Sequence, residues 1–322
     1  MYRQYVLSIA AALAGLASIP ATAAFPDRPV RIVVPFAPGG ATDTVARALA
    51  LRLGQLWKQT VIVENKPGAG GNIGADYVAK SPPDGYTLLV ASPAEVTINQ
   101  FLYAKMPFDA AKDLTPVSKL ATAPLVLVVN TRSAAKTVQE LVQIIKSRKG
   151  GLNYASSGTG GPQHLAGEQF RIMSGTALSH VPYKGGSPAT TDLLGGQVDM
   201  FFSGLPPALQ HIKSGSLRAL AVTTDKRTPL LPQTPTVSES GFPGFSIENW
   251  QGVFVRSGTS PEAIAQLARD IATVVKDKDF IEQLTAQGAV PETMSPENFT
   301  TFVQIEREKF SKLVKESGAK VD

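Results

Sequence analysis

The 322-residue chain contains no cysteine. That absence excludes disulfides, thiolate metal sites and lipidation at an N-terminal cysteine, so the fold is held by its hydrophobic core alone. Histidine is nearly as scarce: His164, His180 and His211 are the only three, and they lie too far apart for the H-E-x-x-H spacing of a zinc site. Beyond Phe25 the longest apolar run is Pro124-Leu-Val-Leu-Val-Val129, well short of the ~20 residues that span a bilayer. Completing G-x-G-x-x-G would need glycine at Ile73, counting from Gly68, or at Gln163, counting from Gly158, and no Gly-Lys dipeptide offers a phosphate loop. No serine sits in G-x-S-x-G, and Ser133-Ala-Ala-Lys136 matches S-x-x-K without its partner motifs. Neither a cofactor nor a metal is expected, and no side-chain constellation supports catalysis.

What is present at the N-terminus reads as an export signal. Arg3 precedes an alanine-rich apolar stretch over residues 6–19, followed by Pro20 and the small-residue site Ala21-Thr22-Ala23. Cleavage is expected after Ala23 or Ala24, making residues 1–24 a signal peptide. An uncleaved anchor is the other reading, and the shortness of the stretch opposes it. The formal charge is +5, but the cations are dispersed: Lys105, Lys112 and Lys119 stand alone, and Lys146-Ser-Arg148-Lys149 is a short cluster. Nucleic-acid binders concentrate basic charge on one face, so no nucleic-acid partner is expected. The composition, 43% hydrophobic, is that of a soluble globular protein, and a freely diffusing periplasmic monomer fits it.

The remaining length is too great for one core and favours two α/β lobes. Residues 29–34, 60–64 and 86–91 are short apolar runs that read as buried strands. Between them Val45, Leu49, Leu53, Leu56 and Trp57 recur at helical spacing behind a Thr42 or Asp43 cap, and residues 72–80 form a second helix. This βαβαβ grammar, which implies parallel strands, restarts after residue 122: strands over 125–130 and 152–155, helices over 134–148 and 164–173, and strands over 180–182, 198–203 and 217–223. A strand near 250–255 returns the chain to the first lobe. Two helices follow, opened by Ser260-Pro261-Glu262 and Ser295-Pro296-Glu297, with Gly288 as a C-cap between them. Residues 25–123 and 249–322 form lobe 1 and residues 124–248 lobe 2, joined by crossings near 122–125 and 246–252 that make a hinge over a cleft.

Two glycine-punctuated turns, each after a strand and before a helix, are the features most suggestive of function. The first is Arg31-Ile-Val-Val-Pro-Phe-Ala-Pro-Gly-Gly-Ala-Thr-Asp43, the second Leu152-Asn-Tyr-Ala-Ser-Ser-Gly-Thr-Gly-Gly-Pro162. Small residues there bring backbone amides to the positive end of a helix, which suits an anion without any Arg or Lys side chain. The hydroxyls of Thr42, Ser156, Ser157 and Thr159 add donors that can replace a carboxylate's hydration shell. Asp43 has two readings, an acceptor for a donor group on the ligand or a helix N-cap, and His164 has two, packing or pocket lining. Asn72, in a third glycine cluster, and Ser92, just past the third strand, stand where ligands gather in open parallel sheets. Tyr183 follows a strand of the second lobe, and Asp199 begins or precedes another. Three roles use such a cleft: a transport receptor, a sensor docking to a signalling partner, and an exported enzyme acting on organic acids.

The motifs Val34-Pro-Phe-Ala-Pro-Gly-Gly-Ala-Thr-Asp43, Val63-Glu-Asn-Lys-Pro-Gly-Ala-Gly-Gly-Asn-Ile-Gly74, Pro83-Asp-Gly-Tyr-Thr-Leu-Leu89, His180-Val-Pro-Tyr-Lys-Gly-Gly186 and Leu194-Gly-Gly-Gln-Val-Asp199 together resemble the Bug, or TctC-like, extracytoplasmic receptors of tripartite tricarboxylate transporters. The resemblance covers the whole mature chain. It implies a two-lobe α/β fold of the type II periplasmic binding-protein kind, with parallel-rich sheets flanked by helices. It also implies capture of a small carboxylate and delivery to a large and a small integral membrane subunit. Carried over residue by residue, the ligand would be held by Phe36, Ala37, Pro38, Gly39, Gly40, Ala41, Thr42 and Asp43 of lobe 1. Ser156, Ser157, Gly158, Thr159 and Gly160 would hold it from lobe 2, with Asn72, Ser92, Tyr183 and Asp199 as further contacts. The chain departs locally from the family pattern at Ala91-Ser-Pro-Ala-Glu95, where many relatives carry a glycine, serine or threonine run.

Overall fold

Strand β1 (Val30–Val34) is buried on both faces, and its side chains divide with period two. Ile32 and Val34 join Val45, Leu49 and Leu53 of helix α1 (Ala41–Trp57). Val33 faces the opposite way, toward Ala75 and Val78 of helix α2 (Asn72–Ala79). Helices on both faces require a nearly continuous apolar strand, and β1 is β-branched apart from the exposed Arg31. The computed structural model describes residues 25–183 and 185–321, so the expected signal peptide and Lys184 lie outside the described residues.

The first sheet has the order β11-β4-β10-β3-β1-β2, built from β2 (Val61–Asn65), β3 (Thr87–Ala91), β4 (Leu114–Ala123), β10 (Asn249–Arg256) and β11 (Val290–Pro291). The second has the order β7-β6-β8-β5-β9, from β5 (Leu125–Asn130), β6 (Leu152–Ser156), β7 (Leu178–Pro182), β8 (Met200–Gly204) and β9 (Leu217–Val222). β1 pairs in parallel with β2 and β3, and β6 with β7 and β8; β10 runs antiparallel to β3 and β4, and β5 antiparallel to β8 and β9. The further helices are α3 (Val138–Ser147), α4 (Pro162–Ser174), α5 (Gly186–Gly195), α6 (Leu205–Lys213), α7 (Pro261–Val275), α8 (Lys278–Ala286) and α9 (Pro296–Ser317).

Several elements differ from the sequence expectation. β4 is a ten-residue strand that periodicity does not announce, because Pro116, Ser118 and Lys119 interrupt the apolar run and two register shifts against β10 break its alternation. α5 and α6 also escape notice: the first is rich in glycine and threonine, and the second opens on Leu-Pro-Pro. Helix α1 is capped by Gly40, with Thr42 and Asp43 inside its first turn, and α3 begins after a Thr137 cap.

The strand registers show how the two sheets meet. Ala91 at the end of β3 faces Gly252, and Asn249 at the start of β10 faces Ala123 at the end of β4. After Pro124 alone, Leu125 opens β5 opposite Gly204, the end of β8. The carboxyl edges of both sets of parallel strands therefore converge on one crossing, the position at which open α/β sheets bind ligands. The return passage runs through residues 223–248, and the two passages are bonded together. Thr223 donates its N–H to Leu125 O at 3.0 Å and its hydroxyl to Ile247 O at 2.6 Å. Buried Lys119 lies 3.1 Å from Glu248 and 2.7 Å from Glu292, and Thr122 bonds to both acids.

Helix α9 does not stay with the first sheet. Phe299 and Val303 pack with Trp250 and Phe254, while Phe310, Leu313 and Val314 enter the core of the second sheet beside Tyr154 and Phe170. Ile98 and Leu102 join that same core, so the lobes share apolar contacts at the base of the cleft.

Candidate functional site

The turn from β1 into α1 is shaped by Asp43. Its Oδ2 accepts from Gly39 N and Arg47 Nε, both at 2.9 Å, and its Oδ1 accepts from Asn65 Nδ2 at 2.8 Å. The Asn65 amide also donates to Phe36 O at 3.0 Å. Reaching back from the third helical position satisfies a loop N–H and fixes Gly39 at φ +87°, a conformation that favours glycine. Burial raises the Asp43 pKa, but Arg47, the Gly39 amide and Asn65 outweigh it and hold the carboxyl below its usual range. Asp43 is therefore neither the N-cap nor a free acceptor for ligand; it clamps the turn. Thr42 is buried, Phe36 half-buried, and Ala37, Pro38, Gly39, Gly40 and Ala41 exposed.

Two other candidates in the first lobe are committed internally. Ser92 donates its N–H to Glu95 Oε1 and its hydroxyl to Glu95 Oε2, both at 2.7 Å, and its hydroxyl accepts from Ala94 N at 3.3 Å. The Asn72 carbonyl accepts from Asn99 Nδ2 at 2.8 Å, and its amide faces Met106 Sδ at 3.4 Å. Both residues are buried and support the wall from behind.

In the second lobe the buried Ser156 hydroxyl donates to Gly158 O at 2.8 Å and accepts from Gly158 N at 3.2 Å. Its single proton is thereby used, so His180 Nε2, 2.6 Å away, is the donor in that pair. Gly160 N donates to His164 Nδ1 at 3.1 Å, which puts the His164 proton on Nε2. The two imidazoles stack at 3.9 Å, with the Tyr154 ring 5.0 Å from His180. Burial and the neighbouring His164 push the His180 pKa down to about 3, and burial lowers that of His164 against the pull of Glu168. Both rings are neutral and carry the glycine turn on their hydrogen bonds. Ser157 and Gly158 are half-buried and Thr159 exposed. A Cβ on Gly160 would lie 2.6 Å from Leu102 of the first lobe, so that position brings the lobes together.

Tyr183 donates its N–H to Ser156 O at 3.0 Å and its hydroxyl to Asp192 at 2.7 Å, so it braces the turn. Asp199 stands apart. It accepts from Arg148 at 3.0 Å and from Asn153 N at 2.8 Å, level with the residue three positions before Ser156 and away from the carboxyl edge. It leaves the site.

One pattern unites what remains. Helices α1, α2, α4, α5 and α6 follow the carboxyl ends of β1, β2, β6, β7 and β8, and begin from Gly40, Gly71, Gly161, Gly185 and Gly204 with no side-chain cap. Helices α3, α7, α8 and α9 are each capped by a side chain, from Thr137, Ser260, Asp277 and Ser295. First-turn N–H groups have no partner inside a helix, so the starts of α1, α4 and α5 leave donors and positive dipole ends along the converging edges. In α6 the Leu205 N–H is bonded to Pro124 O and Pro206 and Pro207 carry no N–H, and in α2 the Asn72 N–H is bonded to Ala69 O. Two grooves of about 540 and 800 Å3 lie elsewhere on the first lobe, around Ile264 and Thr300 and around Arg31 and Tyr77. Among the described residues there is no cluster suited to a metal ion, and no helix long and apolar enough to cross a membrane.

Sequence reasoning missed the residues that hold the turns: Arg47, Asn65, His180 and Glu95. Only the Ser92–Glu95 pair, three residues apart, left a local signature.

The family model for the tripartite tricarboxylate transporter family receptor, TctC, matches residues 45–319. Protein BugT of Bordetella pertussis is 39% identical over 317 residues, covering 98% of this chain and 97% of that protein. Among solved structures, R. palustris Rpa4515 with adipate superposes with TM-score 0.83 at 36% identity, over 92% of this chain and 100% of the other. MatC from Rhodopseudomonas palustris with bound malate gives 0.78 at 31% identity, over 90% of this chain and 100% of the other.

Proposed function

The chain belongs to the tripartite tricarboxylate transporter receptor family, and from that membership we propose that it captures a small organic carboxylate in the cleft between its lobes and delivers it to an integral membrane transporter with a large and a small subunit. The observation that carries this reading is the set of glycine-led, uncapped starts of α1, α4 and α5 along the carboxyl edges of both sheets. Backbone donors of this kind hold an anion without a fixed positive side chain, which leaves the ligand free to depart once the cleft opens. The solved relatives with adipate and malate support a carboxylate as cargo. The working cycle is hinge closure at Pro124 and the 223–248 passage. Residues 1–24 would direct export to the periplasm and be removed after Ala23 or Ala24. The protein acts as a monomer with no chemical step.

Within the first turn the donors are the α1 amides around Gly40, Ala41 and Thr42; within the second they are the amides and hydroxyls of Ser157 and Thr159 with the start of α4. Asp43, Asn72, Ser92, Ser156, Gly160 and Tyr183 act behind them. A thermal-shift screen of residues 25–322 against mono-, di- and tricarboxylates, aromatic acids and acidic amino acids tests the reading. A ligand at ~100 times its Kd adds roughly 2.7 kcal/mol to stability. A rise confined to one class of acid is expected. No rise with any acid, for protein refolded free of bound ligand, would sink the proposal.

A further inference from the structure

Glu95 is the feature of the first lobe that carboxylate capture leaves unused. It is 1% exposed, and among the described residues the donors that another residue offers it are the N–H and hydroxyl of Ser92. Among the described residues no lysine or arginine compensates its charge, whereas Asp43, another buried acid at this edge, is paired with Arg47 at 2.9 Å. Its position is at the cleft wall. A Cβ placed on Gly71 would lie 3.2 Å from Glu95 Oε2 and 3.2 Å from Phe36 Cζ, so the carboxyl and the ring of the first residue of the ligand turn flank Gly71 together. Burial without a cation pushes its pKa up to about 7, against the opposing Ser92 bonds.

We infer that Glu95 sets the class of cargo: an acid whose second polar group is a cation or hydrogen-bond donor, such as an ω-amino acid, in preference to a symmetrical dicarboxylate. The inference rests on the carboxylate-receptor reading and refines it. An ionised carboxylate one residue-layer behind the wall attracts an ammonium through a low-dielectric medium and repels a second carboxylate. To accept a dicarboxylate against that wall, the protein must first protonate Glu95. Above its pKa this costs about tenfold in affinity per pH unit.

The test is calorimetric titration of the purified protein at about pH 8.5 with ω-amino acids, dicarboxylates and simple monocarboxylates of matched chain length. The wild type needs no variant to be informative: ω-amino acids are expected to bind about tenfold or more tightly than the dicarboxylates of equal length. Glu95→Gln removes the charge yet keeps both contacts to Ser92, the amide oxygen accepting the N–H and the amide nitrogen donating to the hydroxyl oxygen, so the fold is retained. In that variant the ratio should fall toward one, chiefly through tighter dicarboxylate binding, with monocarboxylate affinity unchanged. A wild type that binds dicarboxylates as tightly as ω-amino acids, or a ratio unmoved by Glu95→Gln, overturns the inference and leaves Glu95 as a cap alone. If monocarboxylates bind while that ratio fails, the receptor reading stands without the refinement. If no acid of any series binds, both fall.

Discussion

Gly160 donates its backbone N–H to Nδ1 of His164 at 3.1 Å, so a glycine offered by the sequence as an anion donor is already spent on an imidazole. The bond demands a neutral ring, and the stacked partner His180 is kept neutral by its burial and by the neighbouring His164. The second turn is therefore sensitive to acid. His180 is depressed in the folded state, so the unfolded chain binds the extra proton as pH falls below about 6.5, and stability declines from there toward the folded value of about 3. The expected slope is about 1.4 kcal/mol per pH unit for one histidine. Urea midpoints between pH 7 and 5 should fall for the wild type and fall less for His180→Gln; equal slopes in the two proteins would rule out this origin.

Replacing Gly40 with valine separates binding from folding. Gly40 has φ −79° and ψ 170°, an extended conformation suited to a β-branched residue, and its Cβ would meet only Ala37 O at 3.9 Å. The variant should keep its melting temperature to within the equivalent of about 1 kcal/mol, while carboxylate affinity drops tenfold or more because the side chain covers the α1 amides. Undiminished affinity would show that the anion sits elsewhere. Gly74→Val is the opposite control: its Cβ would lie 2.7 Å from Pro35 Cα, so it should unfold the lobe.

Asp43→Asn tests the clamp in the first turn. Asparagine cannot accept simultaneously from Gly39, Arg47 and Asn65 as the carboxylate does. A loss of about 1–3 kcal/mol is expected, with weaker ligand binding from a loosened turn. Because the folded pKa of Asp43 is depressed, its contribution is present above the unfolded value near 3.8 and fades only as pH falls through the folded one. The stability difference between wild type and variant should thus be constant from pH 5 to 8, and a difference that vanished at neutral pH would contradict the clamp.

The alternating lobes were legible because strands buried on both faces leave uninterrupted apolar runs such as Ile32-Val-Val34 and Leu125-Val-Leu-Val-Val129. β4 was not, because Lys119 and Ser118 are buried on partners that lie far along the chain, Glu292 and Thr293. The same reason limited the site. Glycine clusters mark where backbone approaches a ligand, but which amides stay free depends on Asn65, His164 and His180 meeting the turns in space. Ser156 carries a hydroxyl in a promising turn and yet faces inward, and nothing in its neighbours along the chain announces His180.

Lys119 gives the last test, at the hinge. Its side chain is 3% exposed and holds two acids together, Glu248 on the return passage and Glu292 beyond β11. Lys119→Met keeps the length and apolar contact over Phe302 but leaves two carboxylates facing each other without a cation. Breaking a fully buried pair costs about 3–5 kcal/mol; here Glu292 is a third exposed, so solvent screening reduces the expected loss to roughly 2 kcal/mol. Adding Glu248→Gln removes the repulsion and should recover about half of it, a coupling that a double-mutant cycle in urea measures. Additive losses in that cycle would mean that Lys119 stabilises β4 alone and that the two passages are joined only through Thr223 and its backbone partners.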